Sequence, residues 1–144
     1  MIRLIKGFTL IEIMIVLVIL AVIAFVAIPT YFDSILKARR TDGRNALMAL
    51  QVNQEKFRSN CSQYATVIGS LDTCTTGTYA VEGSSTSTDG HYTIAISSGT
   101  ASATGYTATA SATGAQVDDT DCATLTLTVN SANPEGVFTP ADCW

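Results

Sequence analysis

The sequence predicts an α+β protein: one long N-terminal helix, membrane-spanning in its first half, packed through its second half on a three- to four-stranded antiparallel sheet. Three observations carry that expectation. Residues 8–28 form a run whose only polar members are Thr9 and Glu12. Further on, Leu36, Leu47, Leu50, Phe57 and Tyr64 recur at spacings near multiples of 3.5, as on a helix with one buried face. Beyond Cys61, three segments alternate apolar and hydroxyl residues in the manner of half-buried strands. A chain of 144 residues holds one small domain and one membrane segment, but not two domains with full cores.

At about 1.5 Å per residue, the apolar run reaches roughly the 30 Å of a bilayer's hydrocarbon core. A secretory signal peptide is the rival reading, since Arg3 and Lys6 make a positive start and Ala24 to Ala27 are small. Sixteen apolar residues from Ile13 to Ile28, preceded by an acid, are too many for an ordinary signal core. Pro29 lacks a donor hydrogen and disfavours helix at Ile28, so a bend or local loosening is expected there. Residues 30–60 then continue as an amphipathic helix with Lys37, Arg40, Arg44, Gln54 and Lys56 between the apolar positions, weakened slightly by Gly43.

Residues 61–144 form the head. The strand candidates are HYTIAIS, GYTATASA and ATLTLTV, with Thr78 to Val81 as a weaker fourth. Tyr92, Ile94 and Ile96 share one face, as do Tyr106, Ala108 and Ala110, and Leu125, Leu127 and Val129. The cysteines Cys61, Cys74, Cys122 and Cys143 include no CxxC pair, so two disulfides in an oxidising space are the natural reading. That places the head outside the cytoplasm. Asp118, Asp119 and Asp121 read as a solvated turn rather than a calcium site. His91, the only histidine, falls at a strand start without a catalytic partner, and Asn60–Cys61–Ser62 is a chance glycosylation sequon. No enzyme activity, metal or cofactor is expected.

Charge excludes one class of partner from the head surface. All eight Lys and Arg lie at or before Arg58, whereas residues 59–144 hold eight acids and no base. Phosphate contact needs cations, so nucleic acid is an unfavoured partner.

The residues KGFTLIEIMIVLVILAVIAFVAIP resemble the N-terminus of type IV pilins of the short-leader type IVa class. The resemblance implies a leader, residues 1–7, cut after Gly7 by a prepilin peptidase, with methylation of the new amine on Phe8. Residues 8–29 then form the transmembrane and polymerisation helix, and residues 30–60 the amphipathic continuation. Glu12 stands at the family's assembly glutamate, whereas Ala21 stands where many members carry a helix-loosening glycine. An ionised carboxylate in hydrocarbon costs about 3 kcal/mol, and the cut supplies the cation that offsets it. The amine of one subunit pairs with Glu12 of the next at a single axial offset. Of three possible disulfide pairings, Cys61–Cys74 and Cys122–Cys143 are favoured because each closes a short loop. The second also resembles the C-terminal disulfide-bounded region of type IV pilins, and the ending DCW is similar to that of the PilE-like minor pilin branch.

The expected function is that of a structural subunit, major or minor, of a type IV pilus supporting twitching motility and surface adhesion. Its partners are other pilin subunits, the prepilin peptidase and the inner-membrane assembly machinery. The chain would sit in the inner membrane with a periplasmic head before joining the extracellular fibre. Cytoplasmic ATPases supply the force, since no P-loop is present. The alternatives are a type II secretion pseudopilin and, ranked low for want of bases, a DNA-binding minor pilin for natural transformation.

Overall fold

The computed structural model describes residues 7–75 and 77–144; residues 1–6, with Arg3 and Lys6 and most of the expected 1–7 leader, lie outside them. It divides into two units, residues 1–35 and 36–144. One helix, α1, runs from Leu10 to Asn60 and contributes to both. Helical hydrogen-bonding continues across position 29, where Thr30 Oγ1 also donates to the carbonyl of Val26 at 3.2 Å.

In the first unit nothing apolar is enclosed: from Gly7 to Ile28 every residue is exposed except Ala24, which is half-buried. The second unit has a packed core. Leu47, Leu50 and Phe57 of α1 are buried against the sheet, and Leu36 is half-buried. Two positions of the expected amphipathic helix need correction. Tyr64 is buried but lies beyond the helix end, its ring 4.9 Å from that of Tyr106. Gln54, expected on the polar side, is fully buried, because it occupies the helical step between Leu50 and Phe57. Its amide donates to the carbonyl of Ala65 at 3.1 Å and accepts the Ala65 N–H at 2.9 Å, which folds the chain back after the helix.

Two sheets pack on α1 instead of one. The smaller has the order β1-β3-β2, from Val67–Gly69, Thr73–Thr75 and Thr78–Glu82; β1 pairs parallel to β3 and β2 antiparallel. The weak candidate at residues 78–81 is therefore a strand, but the centre of a separate sheet. The larger sheet is antiparallel and runs β4-β5-β6-β7, from Tyr92–Ile96, Tyr106–Ala112, Thr124–Asn130 and Asn133–Thr139. The faces expected from alternation are the buried ones in β4, β5 and β6. Strand β7 went unread because Pro134 and Gly136 demote a strand pattern, and an edge strand tolerates both.

Small residues let the helix approach the sheet closely. A Cβ on Gly43 would lie 2.8 Å from the Tyr92 ring, so this glycine, whose cost to the helix was legible, is required by packing. Ala108 and Ala110 of the central strand are wholly buried.

Candidate functional site

Gly7, Phe8 and Thr9 precede the helix, and Phe8 is 80% exposed. Thr9 caps the helix: its Oγ1 accepts the Glu12 N–H at 3.2 Å, and its carbonyl accepts the Ile13 N–H at 3.3 Å. Thr9 and Glu12 have the spacing of a capping box, and an acid in the first turn is favoured by the partial positive charge of a helix N-terminus. The Glu12 side chain is exposed and, among the described residues, makes no ion pair.

The cysteines are joined as Cys61–Cys74 and Cys122–Cys143, with Cα separations of 5.7 and 5.8 Å. The first ties the region just past α1 to the small sheet. The second joins the turn before β6 to the 3-10 turn at Ala141–Cys143, closing the C-terminal segment onto the large sheet.

The cations of α1 divide into two groups. Arg40 makes a bidentate pair with Asp119, with both bonds at 2.7 Å. Hydrogen bonding to Asp119 raises the Arg40 pKa against the opposing effect of burial. Gln116, also fully buried, donates to Asp119 Oδ2 at 3.0 Å and to the Tyr92 hydroxyl and the Leu36 carbonyl at 3.1 Å each. The Asp118–Asp121 turn is thus not simply solvated: Asp119 is an anchor inside the unit, while Asp118 and Asp121 are exposed. Arg44 donates through Nε to the Cys143 carbonyl and lies over the Trp144 ring at 6.0 Å. Arg58 binds the carbonyls of Ala103 and Cys61. Lys37, Arg39 and Lys56 make no side-chain ion pair among the described residues.

Asp42 was not singled out from the sequence, yet it organises the β3–β4 loop. Its buried carboxylate accepts Ser87 Oγ at 2.6 Å, Asp89 N–H at 3.1 Å and His91 N–H at 3.2 Å. Burial pushes its pKa up, but the Ser87, Asp89 and His91 hydrogen bonds outweigh it and hold the group below the usual carboxylate value. The only available signal was an acid inside the basic stretch from Lys37 to Arg44. His91 lies at the entry to β4, as its place in the sequence suggested. Burial, with a hydrogen bond to Glu55, pushes the Tyr64 hydroxyl up to about 12.

These features, an exposed apolar helix start bearing Thr9 and Glu12 and a disulfide-closed head carried on the same helix, are those of pilin-type subunits. The model of the prokaryotic N-terminal methylation motif matches residues 2–28. The family model described as type IV minor pilin ComP, DNA uptake sequence receptor, matches residues 29–126. The chain belongs to that family of type IV minor pilins.

Proposed function

We propose that this chain is a minor subunit of a type IV pilus, cut between Gly7 and Phe8, N-methylated on Phe8, and polymerised through the apolar start of α1. The exposed surface from Phe8 to Ile28 carries the reading. An apolar surface on every side of a helix is satisfied by lipid before assembly and by other helices afterwards. Glu12 then pairs with the Phe8 amine of a neighbour, and the head, periplasmic before assembly, forms fibre surface that supports twitching motility and adhesion. Mass spectrometry of the mature protein is expected to show a methylated Phe8 start. Glu12→Ala is expected to leave membrane insertion intact and to reduce recovery in sheared fibres; normal recovery would sink the register role.

The family match favours a second reading, that of a DNA receptor, above the low rank that charge alone gave it. Charge still restricts how such a receptor would work. Lys37, Arg39 and Lys56, which form no ion pair among the described residues, are all on α1, so phosphates would meet the helix and not the sheets, which could offer only hydroxyl, amide and backbone groups. Three phosphate contacts give a salt slope of about −3. Titration of labelled duplex is therefore expected to show weak binding with a shallow slope. Micromolar or tighter binding with a steeper slope would make DNA uptake the principal function.

A further inference from the structure

We infer that the Cys61–Cys74 bond is a thiol–disulfide exchange site for a protein dithiol, with the Cys74 sulfur as the atom attacked and strand β2 as the element released. The inference goes beyond the proposed function and does not depend on it. It rests on a contrast between the two disulfides. Cys122 and Cys143 are each 1% exposed, so an attacking thiolate reaches neither sulfur without opening the head. Cys61 is also buried, but Cys74 is exposed, in the middle of β2, an outer strand of the small sheet. Exchange needs a thiolate to approach one sulfur of the bond, so access decides between two bonds of the same kind.

The surroundings of Cys61 favour its departure. Helix α1 ends at Asn60, and the Arg58 guanidinium donates to the Cys61 carbonyl at 2.9 Å, which keeps a cation at the residue that leaves. A cation beside a cysteine lowers its thiol pKa, and a more acidic thiol leaves faster. The step balances as a two-electron exchange. One thiolate of the dithiol forms a bond to Cys74 Sγ as the Cys61–Cys74 bond breaks, and Cys61 leaves as a thiolate that takes a proton from water. The second thiol of the reductant, as its thiolate, then attacks its neighbour's sulfur in the mixed disulfide, and Cys74 leaves in the same way. The head ends with two thiols and the reductant with a disulfide.

Strand β2 has little besides this bond to hold it. Thr73 is half-buried, and Cys74 and Thr75 are exposed, so the strand adds no buried side chain to the core. It pairs with β3 only at Thr73 with Ala80, Cys74 with Tyr79 and Thr75 with Thr78. Asp72, just before it, accepts the Glu82 N–H at 2.8 Å. Strand β1, on the other side of β3, is anchored differently. Ile68 packs against the core, and Thr66 donates to the Tyr79 carbonyl through both its N–H and its hydroxyl. Reduction therefore frees β2 and turns one covered edge of β3 into an open one, while β1 and the large sheet stay in place.

The test uses the full chain in detergent, titrated with dithiothreitol as the dithiol, quenched by alkylation and mapped by peptide mass. Cys61 and Cys74 are expected to be alkylated at about ten-fold lower dithiothreitol than Cys122 and Cys143. Equal lability, or earlier reduction of Cys122–Cys143, would overturn the assignment. At the concentration that reduces only Cys61–Cys74, hydrogen exchange is expected to quicken in residues 73–75 and at the Glu82 N–H, and to stay unchanged in β5 and β6. Unchanged exchange in β2 would overturn the release. Faster exchange throughout β5 and β6 would overturn it too, by showing that the bond staples the whole head. The attacked sulfur is read separately, with a thioredoxin-type protein whose second CxxC cysteine is replaced by serine. That protein is expected to be trapped on Cys74, and trapping on Cys61, or none, would overturn the exchange site.

Discussion

The two units of this chain use one helix in opposite ways. Leu17 and Leu47 are the same residue type on α1, yet Leu17 is 60% exposed and Leu47 is 0% exposed. In residues 36–144 the helix is one wall of a core, and the apolar side chains of its inner face, Leu47, Leu50 and Phe57, are buried within the chain. In residues 8–28 the apolar side chains surround the helix on every side, and only a solvent other than water satisfies them. Stability therefore resides in the second unit, while under the proposed function localisation and assembly reside in the first. Mutations should separate along the same line.

The largest expected effect comes from deleting residues 1–35. The remaining chain should be recovered from the aqueous fraction with a cooperative thermal transition by circular dichroism, and it should be absent from membranes and fibres. Aggregation or a non-cooperative melt would break the division into two units. Next is the leucine pair. Leu47→Ala should cost the head about 3 kcal/mol through lost burial and a residual cavity, whereas Leu17→Ala should leave the head's denaturant midpoint in detergent unchanged. An equal shift for both would show that the units are coupled.

Asp119→Ala strands Arg40 and removes a partner of Gln116, and breaking such a desolvated pair costs about 3 kcal/mol. Since Asp119 is 6% exposed and Arg40 13%, a double-mutant cycle with Arg40→Met should give a coupling well above that of surface pairs. The smallest effect is the pH response of Asp42. Its folded-state pKa is lowered, so its contribution is present above the unfolded-state pKa and is lost as pH falls through the folded-state value. The groups facing it are Ser87, the backbone N–H of Asp89, and His91. Asp42→Asn should flatten the acid limb of the head's stability curve, and an unchanged limb would remove Asp42 from this role.

The features legible in the sequence were those with local causes. The apolar run of residues 8–28 and the period-2 alternation of β4, β5 and β6 are visible in short windows, because a helix or a half-buried strand imposes its own period on adjacent residues. Much of what eluded that reading depended on partners 40 to 80 positions away. Arg40 read as one of several polar positions between the apolar ones until Asp119, 79 residues on, proved to be folded against it. Gly43 looked like a mild defect until the Tyr92 ring filled the space a Cβ would need. The polar character of Gln54 hid its place on the buried stripe, and Pro134 hid the edge strand β7.

By itself the sequence determined the membrane-length helix start with Thr9 and Glu12, the alternating strands, and the confinement of every base to residues 1–58. Each of these follows from residue type and short-range period. Tertiary structure alone decided that the head carries two sheets, that Asp42 gathers the β3–β4 loop, and that Arg40 and Arg44 are used internally while Lys37 forms no ion pair among the described residues. The physical reason is desolvation: whether a charge is buried and paired or left in water depends on which distant backbone folds over it, and no local pattern encodes that.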